Sequence, residues 1–143
     1  MSKINWTRLL IGTIIAALIA FFSDGALHEL VLKADWKALY TALSANEPSE
    51  HGSSMVFFAI FELGRAFTAM LIYALLRGPM GAGPKTAVLA GVFGWIAFSL
   101  TGPVQFIPLG FFSTTLWFKA AAFQLVTSII STVAGAAVYK STS

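Results

Sequence analysis

Four long apolar runs, with little polar sequence between them, leave this chain very few folds. Residues 9–30, 54–76, 86–106 and 112–139 each supply about the 20 residues that a helix needs to cross ~30 Å of hydrocarbon, where a helix satisfies its own backbone. A water-soluble domain of 143 residues has too little interior to hide four such runs. Apolar residues make up 57% of the chain and charged residues 10%, with a mean hydropathy of +0.81. Soluble domains carry about 25% charged residues. The sequence therefore predicts an all-α fold, an integral membrane bundle of four transmembrane helices with one short interfacial helix, forming a single membrane domain over residues 1–143.

The pI is 9.5, yet the nine Lys and Arg residues form no block or stripe, so the excess charge points to membrane topology and to no nucleic-acid partner. Absence of cysteine removes disulfides, thiolate metal ligands, thioether-linked haem and cysteine nucleophiles together. Lys3 and Arg8 ahead of an apolar run imitate a secretory signal. Ala17-Leu-Ile-Ala20 followed by Phe21-Phe22 is a poor cleavage region, and a retained first helix is expected. The glycine-rich 77–85 segment lacks the G-x-x-x-x-G-K-[ST] spacing of a phosphate loop and reads as a membrane-surface turn.

Taken in order, the first run begins behind the interfacial residues Asn5, Trp6 and Arg8 and continues past Phe22, so that Asp24 falls inside the span near its far end. Gly25 would admit a close neighbour there. Trp36, Leu39, Tyr40 and Leu43 then recur at i, i+3, i+4 and i+7, which predicts an amphipathic helix over 34–44, lying on the membrane or capping the bundle. Residues 44–52 read as turn and loop, and Ser53-Ser54 as a cap for the next helix. Gly102-Pro103 bends or ends the third span and frees a backbone carbonyl for an internal donor. The small residues from Ser128 to Ala137 suit close helix packing.

Charge bias orients the bundle. Lys3, Arg8, Arg77, Lys85 and Lys140 share one side, and the acidic 29–50 segment lies on the other, so both termini are expected in the cytoplasm. With this threading, Asp24 is near the outer end of the first span. Glu62 and Arg65 lie roughly 12 and 17 Å below the outer start of the second, and Lys119 and Gln124 roughly 10 and 18 Å below that of the fourth, at ~1.5 Å per residue. Gln105 is near the outer end of the third. All of these polar groups share the outer half.

Two readings of that coincidence stand side by side. In one, Asp24 or Glu62 pairs with Arg65 or Lys119 and the glutamines satisfy leftover carbonyls, so that the cluster only fixes helix register. In the other it forms a water-accessible pocket, with Asp24, His28, Glu62, Arg65, Gln105, Lys119 and Gln124 as ligand-binding or proton-relay residues. Glu62 is the leading proton carrier, because burial and a neighbouring cation act on it in opposite senses.

A metal site would use Asp24 and His28, at i and i+4, with Glu62 or His51 as third ligand. His28-Glu29 is not an H-E-x-x-H motif, since Leu32 occupies the fourth position on. Bis-histidine haem would need His28 and His51, the only two histidines. Ser23 is poorly aligned with His28 for nucleophilic catalysis. No cofactor is expected, and an enzyme less than a non-enzyme. The thirteen phenylalanines either face lipid and fill the bundle, or line a cavity for a quinone, carotenoid or lipid tail, or meet a larger membrane complex.

Phe21 to Trp36, with Asp24, His28 and Trp36, resembles the corresponding part of small bacterial four-helix membrane families of the DUF1761 and DUF2177 type. In these a first helix ends in a polar or aromatic patch followed by a short tryptophan-bearing amphipathic segment. Ser23-Asp24-Gly25 departs from their more aromatic pattern. The resemblance implies an inner-membrane protein and no particular activity. The residues themselves favour a small membrane protein that binds a small or lipidic ligand, or serves as a subunit of a homo-oligomer or larger membrane complex. A proton, ion or solute transporter is the next reading, and a metal-dependent membrane enzyme the third.

Overall fold

A computed structural model describes residues 4–43 and 53–139. The expected 44–52 loop with His51, and the Lys3 and Lys140 charges, lie outside them. The described chain is all helical, without a strand, and four of its helical stretches are long and apolar enough to cross a membrane. Helix α1 spans Trp6–Leu30, α2 Lys33–Ala42, α3 Ser53–Met80, α4 Pro84–Trp95 and α5 Thr114–Ala137. Beyond α4 the third span continues as a π-helical turn, Ile96–Leu100, and a 3-10 turn, Pro103–Phe106.

Local chemistry sets these limits. The Asn5 side chain accepts from the Arg8 backbone N–H at 3.1 Å and starts α1, and the Ser113 hydroxyl accepts from that of Leu116 at 3.1 Å and starts α5. Pro84, at the first position of α4, gives up only an N–H that no helix turn would use. Large apolar side chains such as Leu10, Ile14, Leu18, Phe57, Ile60, Val126 and Ile130 remain exposed on the outer faces of the spans. In water that surface would be untenable, whereas in lipid it is the required solvent.

Small residues hold the bundle together. A Cβ on Gly12 would lie 2.6 Å from the Gly135 carbonyl oxygen, and one on Gly135 would lie 2.5 Å from that of Gly12. Only two glycines let α1 and α5 cross so closely, as expected of the small residues between Ser128 and Ala137. Nearby, Tyr139 ties three elements together at one end of the bundle. Its hydroxyl accepts from the Asn5 N–H at 3.2 Å, its ring packs on the Arg77 guanidinium at 5.2 Å, and Tyr73 meets it edge to face.

The other end is covered by α2. Leu32 and Leu39 of this region bury against Leu27 of α1 and Leu116 and Ala120 of α5. The short helix thus caps the bundle with its apolar face, the second of the two placements its pattern allowed. Asp35 holds it there through both carboxylate oxygens, each 3.0 Å from the Lys119 ammonium.

Candidate functional site

Beneath the α2 cap, four helical stretches bring polar side chains to one depth. Asp24 projects from the last third of α1, Glu62 and Arg65 from α3, Ser99 from the π-helical turn, and Gln124 and Thr127 from α5. All six are buried, Arg65 being 2% exposed and Glu62 3%. Each lies on a span whose remaining residues are largely apolar, so these groups turn inward and satisfy one another.

Arg65 is the hub. Its Nη2 lies 3.0 Å from Asp24 Oδ2 and 2.7 Å from Glu62 Oε2, while Nη1 donates to the Ser99 hydroxyl at 3.2 Å. The two carboxylate contacts are close ion contacts whose N–H directions are not those of aligned hydrogen bonds. Asp24 also accepts from the Gln124 amide at 2.8 Å and the Thr127 hydroxyl at 2.9 Å. Glu62 meets no such neutral donor among the described residues. The two carboxylates that share Nη2 are within about 6 Å of one another, so they repel unless the guanidinium, or a proton, offsets them. With both ionised, the three groups sum to one negative charge.

The π-helical turn has a visible role here. Inserting a residue relative to regular α-helix turns Ser99 inward to Arg65, and leaves a carbonyl that an indole takes up. Leu100 O accepts from Trp117 Nε1 at 3.0 Å, which fulfils the expectation of a freed carbonyl near Pro103. Outside that turn, Trp95 at the end of α4 donates through Nε1 to the Ala121 carbonyl of α5 at 2.7 Å.

Next to this cluster lies a cavity of about 520 Å³. Trp36, Phe58, Phe98, Phe112 and Trp117 are among its walls, and Ser99 and Gln124 connect it to the ion cluster. His28 also faces it, and Trp36 Nε1 donates to His28 Nδ1 at 2.9 Å. A ring nitrogen that accepts carries no proton, so the imidazole keeps its N–H on Nε2. Trp36 in turn packs edge to face on Phe112 at 5.4 Å and stacks near Tyr40.

Four of the seven site residues expected from sequence, Asp24, Glu62, Arg65 and Gln124, therefore meet directly, and His28 lines the adjoining cavity. Two do not join them. Lys119 is half exposed and occupied by Asp35. Gln105 is exposed in the 3-10 turn and donates to the Gly102 carbonyl at 3.2 Å. The metal set Asp24, His28 and Glu62 is not assembled either: among the described residues no three His, Asp or Glu side chains gather as ligands. The two carboxylates face Arg65, and His28 Nδ1 already serves Trp36. Gly25 has open space around it, not a close neighbour. Ser99, Thr127 and the Trp36–His28 bond were not anticipated. A serine or threonine inside an apolar run gives no signal, whereas the eight-residue step from His28 to Trp36 across a helix end could have suggested that pair.

No family model, curated protein or solved structure matches this chain.

Proposed function

We propose that this chain is an inner-membrane protein, with both termini in the cytoplasm, that holds a small amphiphilic ligand in the aromatic cavity above the buried ion cluster. The observation that carries this reading is the cavity itself: about 520 Å³, walled by aromatic rings, with His28, Ser99 and Gln124 as polar contacts. Apolar clefts with a few convergent polar groups, in the range of roughly 300–1,000 Å³, are what small-molecule sites look like, and this one is open on one face. The ion cluster behind it supports this use, since it fixes Ser99 and Gln124 in place.

Native mass spectrometry from mild detergent tests the proposal. Ala120 lines the cavity, and Ala120→Phe should fill it. Wild type is expected to carry a lipid-sized adduct that Ala120→Phe lacks and Lys119→Ala retains. Identical adducts in wild type and Ala120→Phe would sink the proposal. The same spectra report whether the chain travels alone, as an oligomer or with a larger complex.

A second reading, a proton pathway, is favoured by the count of two buried carboxylates to one guanidinium. Glu62, which has the fewer donors, would be the carrier. Unchanged proton flux into liposomes carrying folded Glu62→Gln protein would remove it.

A further inference from the structure

We propose that the ligand of this cavity is a neutral, quinone-class lipid, whose flat head lies among the aromatic walls and whose carbonyl oxygen accepts from His28 Nε2–H. This rests on the ligand-binding reading above and narrows it to one chemistry.

Three observations select that class. The first is shape. Trp36, Phe58, Phe98, Phe112 and Trp117 all contribute rings to the lining, which suits a planar π-system better than a flexible headgroup. The His28 ring itself stands 6.1 Å from that of Phe58 and 5.6 Å from that of Trp36, so the imidazole sits among rings.

The second is the polarity of what remains unused. His28 receives from Trp36 on Nδ1 and keeps the Nε2 proton, for which the described residues supply no acceptor. Ser99 receives from Arg65 and keeps its hydroxyl proton. Both groups therefore offer hydrogens, and a ligand that complements them offers oxygen lone pairs. Carbonyl oxygens on a ring meet that description.

The third is charge. The cation behind the cavity, Arg65, is 2% exposed and flanked by Asp24 and Glu62, so it cannot draw in a phosphate or carboxylate headgroup. Asp24 and Glu62 are buried as well, at 4% and 3%, and present nothing to a cationic one. Lys119, next to Ala120 of the wall, is held by Asp35. A neutral head is what these surroundings admit.

The test uses the full chain in nanodiscs, with decylubiquinone as probe and tryptophan fluorescence as readout. Trp36 and Trp117 line the cavity, while Trp6 and Trp95 do not, so occupancy quenches only part of the emission. Wild type is expected to show saturable quenching, which Ala120→Phe loses. His28→Phe should weaken binding about tenfold, and His28→Gln, which keeps an N–H, should stay within about threefold of wild type. Equal affinities for wild type, His28→Phe and His28→Gln would overturn the proposed contact. Should His28→Phe fail to fold, Trp117→Phe provides the second arm: the saturable signal must shrink while the quinone adduct persists in native mass spectra.

A fluorescent fatty acid separates the two levels of the argument. Saturable fatty-acid uptake blocked by Ala120→Phe, with only linear quenching by decylubiquinone, overturns the quinone and leaves the cavity. Failure of both probes to saturate overturns both.

Discussion

Removing Arg65 should be the most damaging single substitution in the bundle, and a second substitution should undo much of the harm. Arg65→Leu leaves two buried carboxylates facing each other with no cation between them. Asp24 keeps the Gln124 amide at 2.8 Å and the Thr127 hydroxyl at 2.9 Å, whereas Glu62 loses its partner at 2.7 Å. Breaking a buried pair on one side costs about 3–5 kcal/mol, chiefly through the charge left behind, while replacing a whole pair by apolar groups is often near neutral. Glu62→Leu/Arg65→Leu is therefore expected to be more stable than Arg65→Leu alone by about 2 kcal/mol or more. Glu62→Leu alone should cost less than Arg65→Leu, because the guanidinium retains Asp24 and Ser99. The assay is SDS-driven unfolding in mixed micelles, followed by tryptophan emission and extrapolated linearly. Lys119→Ala serves as the comparison, since its half-exposed pair with Asp35 should be worth less than about 1 kcal/mol. The reasoning fails if Arg65→Leu is no worse than Lys119→Ala, or if the two leucine substitutions simply add.

Gly135→Ala is expected to destabilise by about 1–3 kcal/mol, because its Cβ would need the space of the Gly12 carbonyl, whereas Gly25→Ala, with nothing within 4 Å, should be neutral or slightly stabilising. The same unfolding assay compares them, and equal effects would refute the close crossing. Gln124→Leu removes one donor to Asp24 and should cost about 0.6–2 kcal/mol, with the low end reflecting the partners available within a membrane. Because the chain has no cysteine, single introduced thiols report orientation directly. Ala38→Cys should react with an impermeant maleimide from outside intact cells and Ala82→Cys only after lysis; the reverse pattern would invert the proposed topology.

The four spans could be read from composition because in lipid the apolar residues need no partner to be informative: length and absence of charge suffice. The depth of the cluster was legible for the same reason, since residues per helix convert directly to ångströms. Azimuth was harder. Lys119 and Gln124 are five residues apart, which places them about 140° apart around α5, so they cannot face the same neighbour. Gln124 points to Asp24 and Lys119 to the α2 cap, and this could have been worked out from spacing alone. Ser99 is a different case. Its inward turn depends on the π-helical register between Ile96 and Leu100, which no periodicity in the apolar run reveals. Gln105 was misplaced because the helix gives way at Gly102-Pro103 before reaching it.

The crossing of Gly12 with Gly135 has a mechanical consequence. Two backbones that touch at one point form a pivot. Asp24 on α1 lies about 18 Å further along its helix from that point, at ~1.5 Å per residue. A relative tilt of only about 5° would then move Asp24 by about 1.5 Å with respect to α5, enough to break its bonds to Gln124 and Thr127, given how narrow hydrogen-bond distances are. The ion cluster sits towards the capped end of a lever whose fulcrum is a pair of glycines.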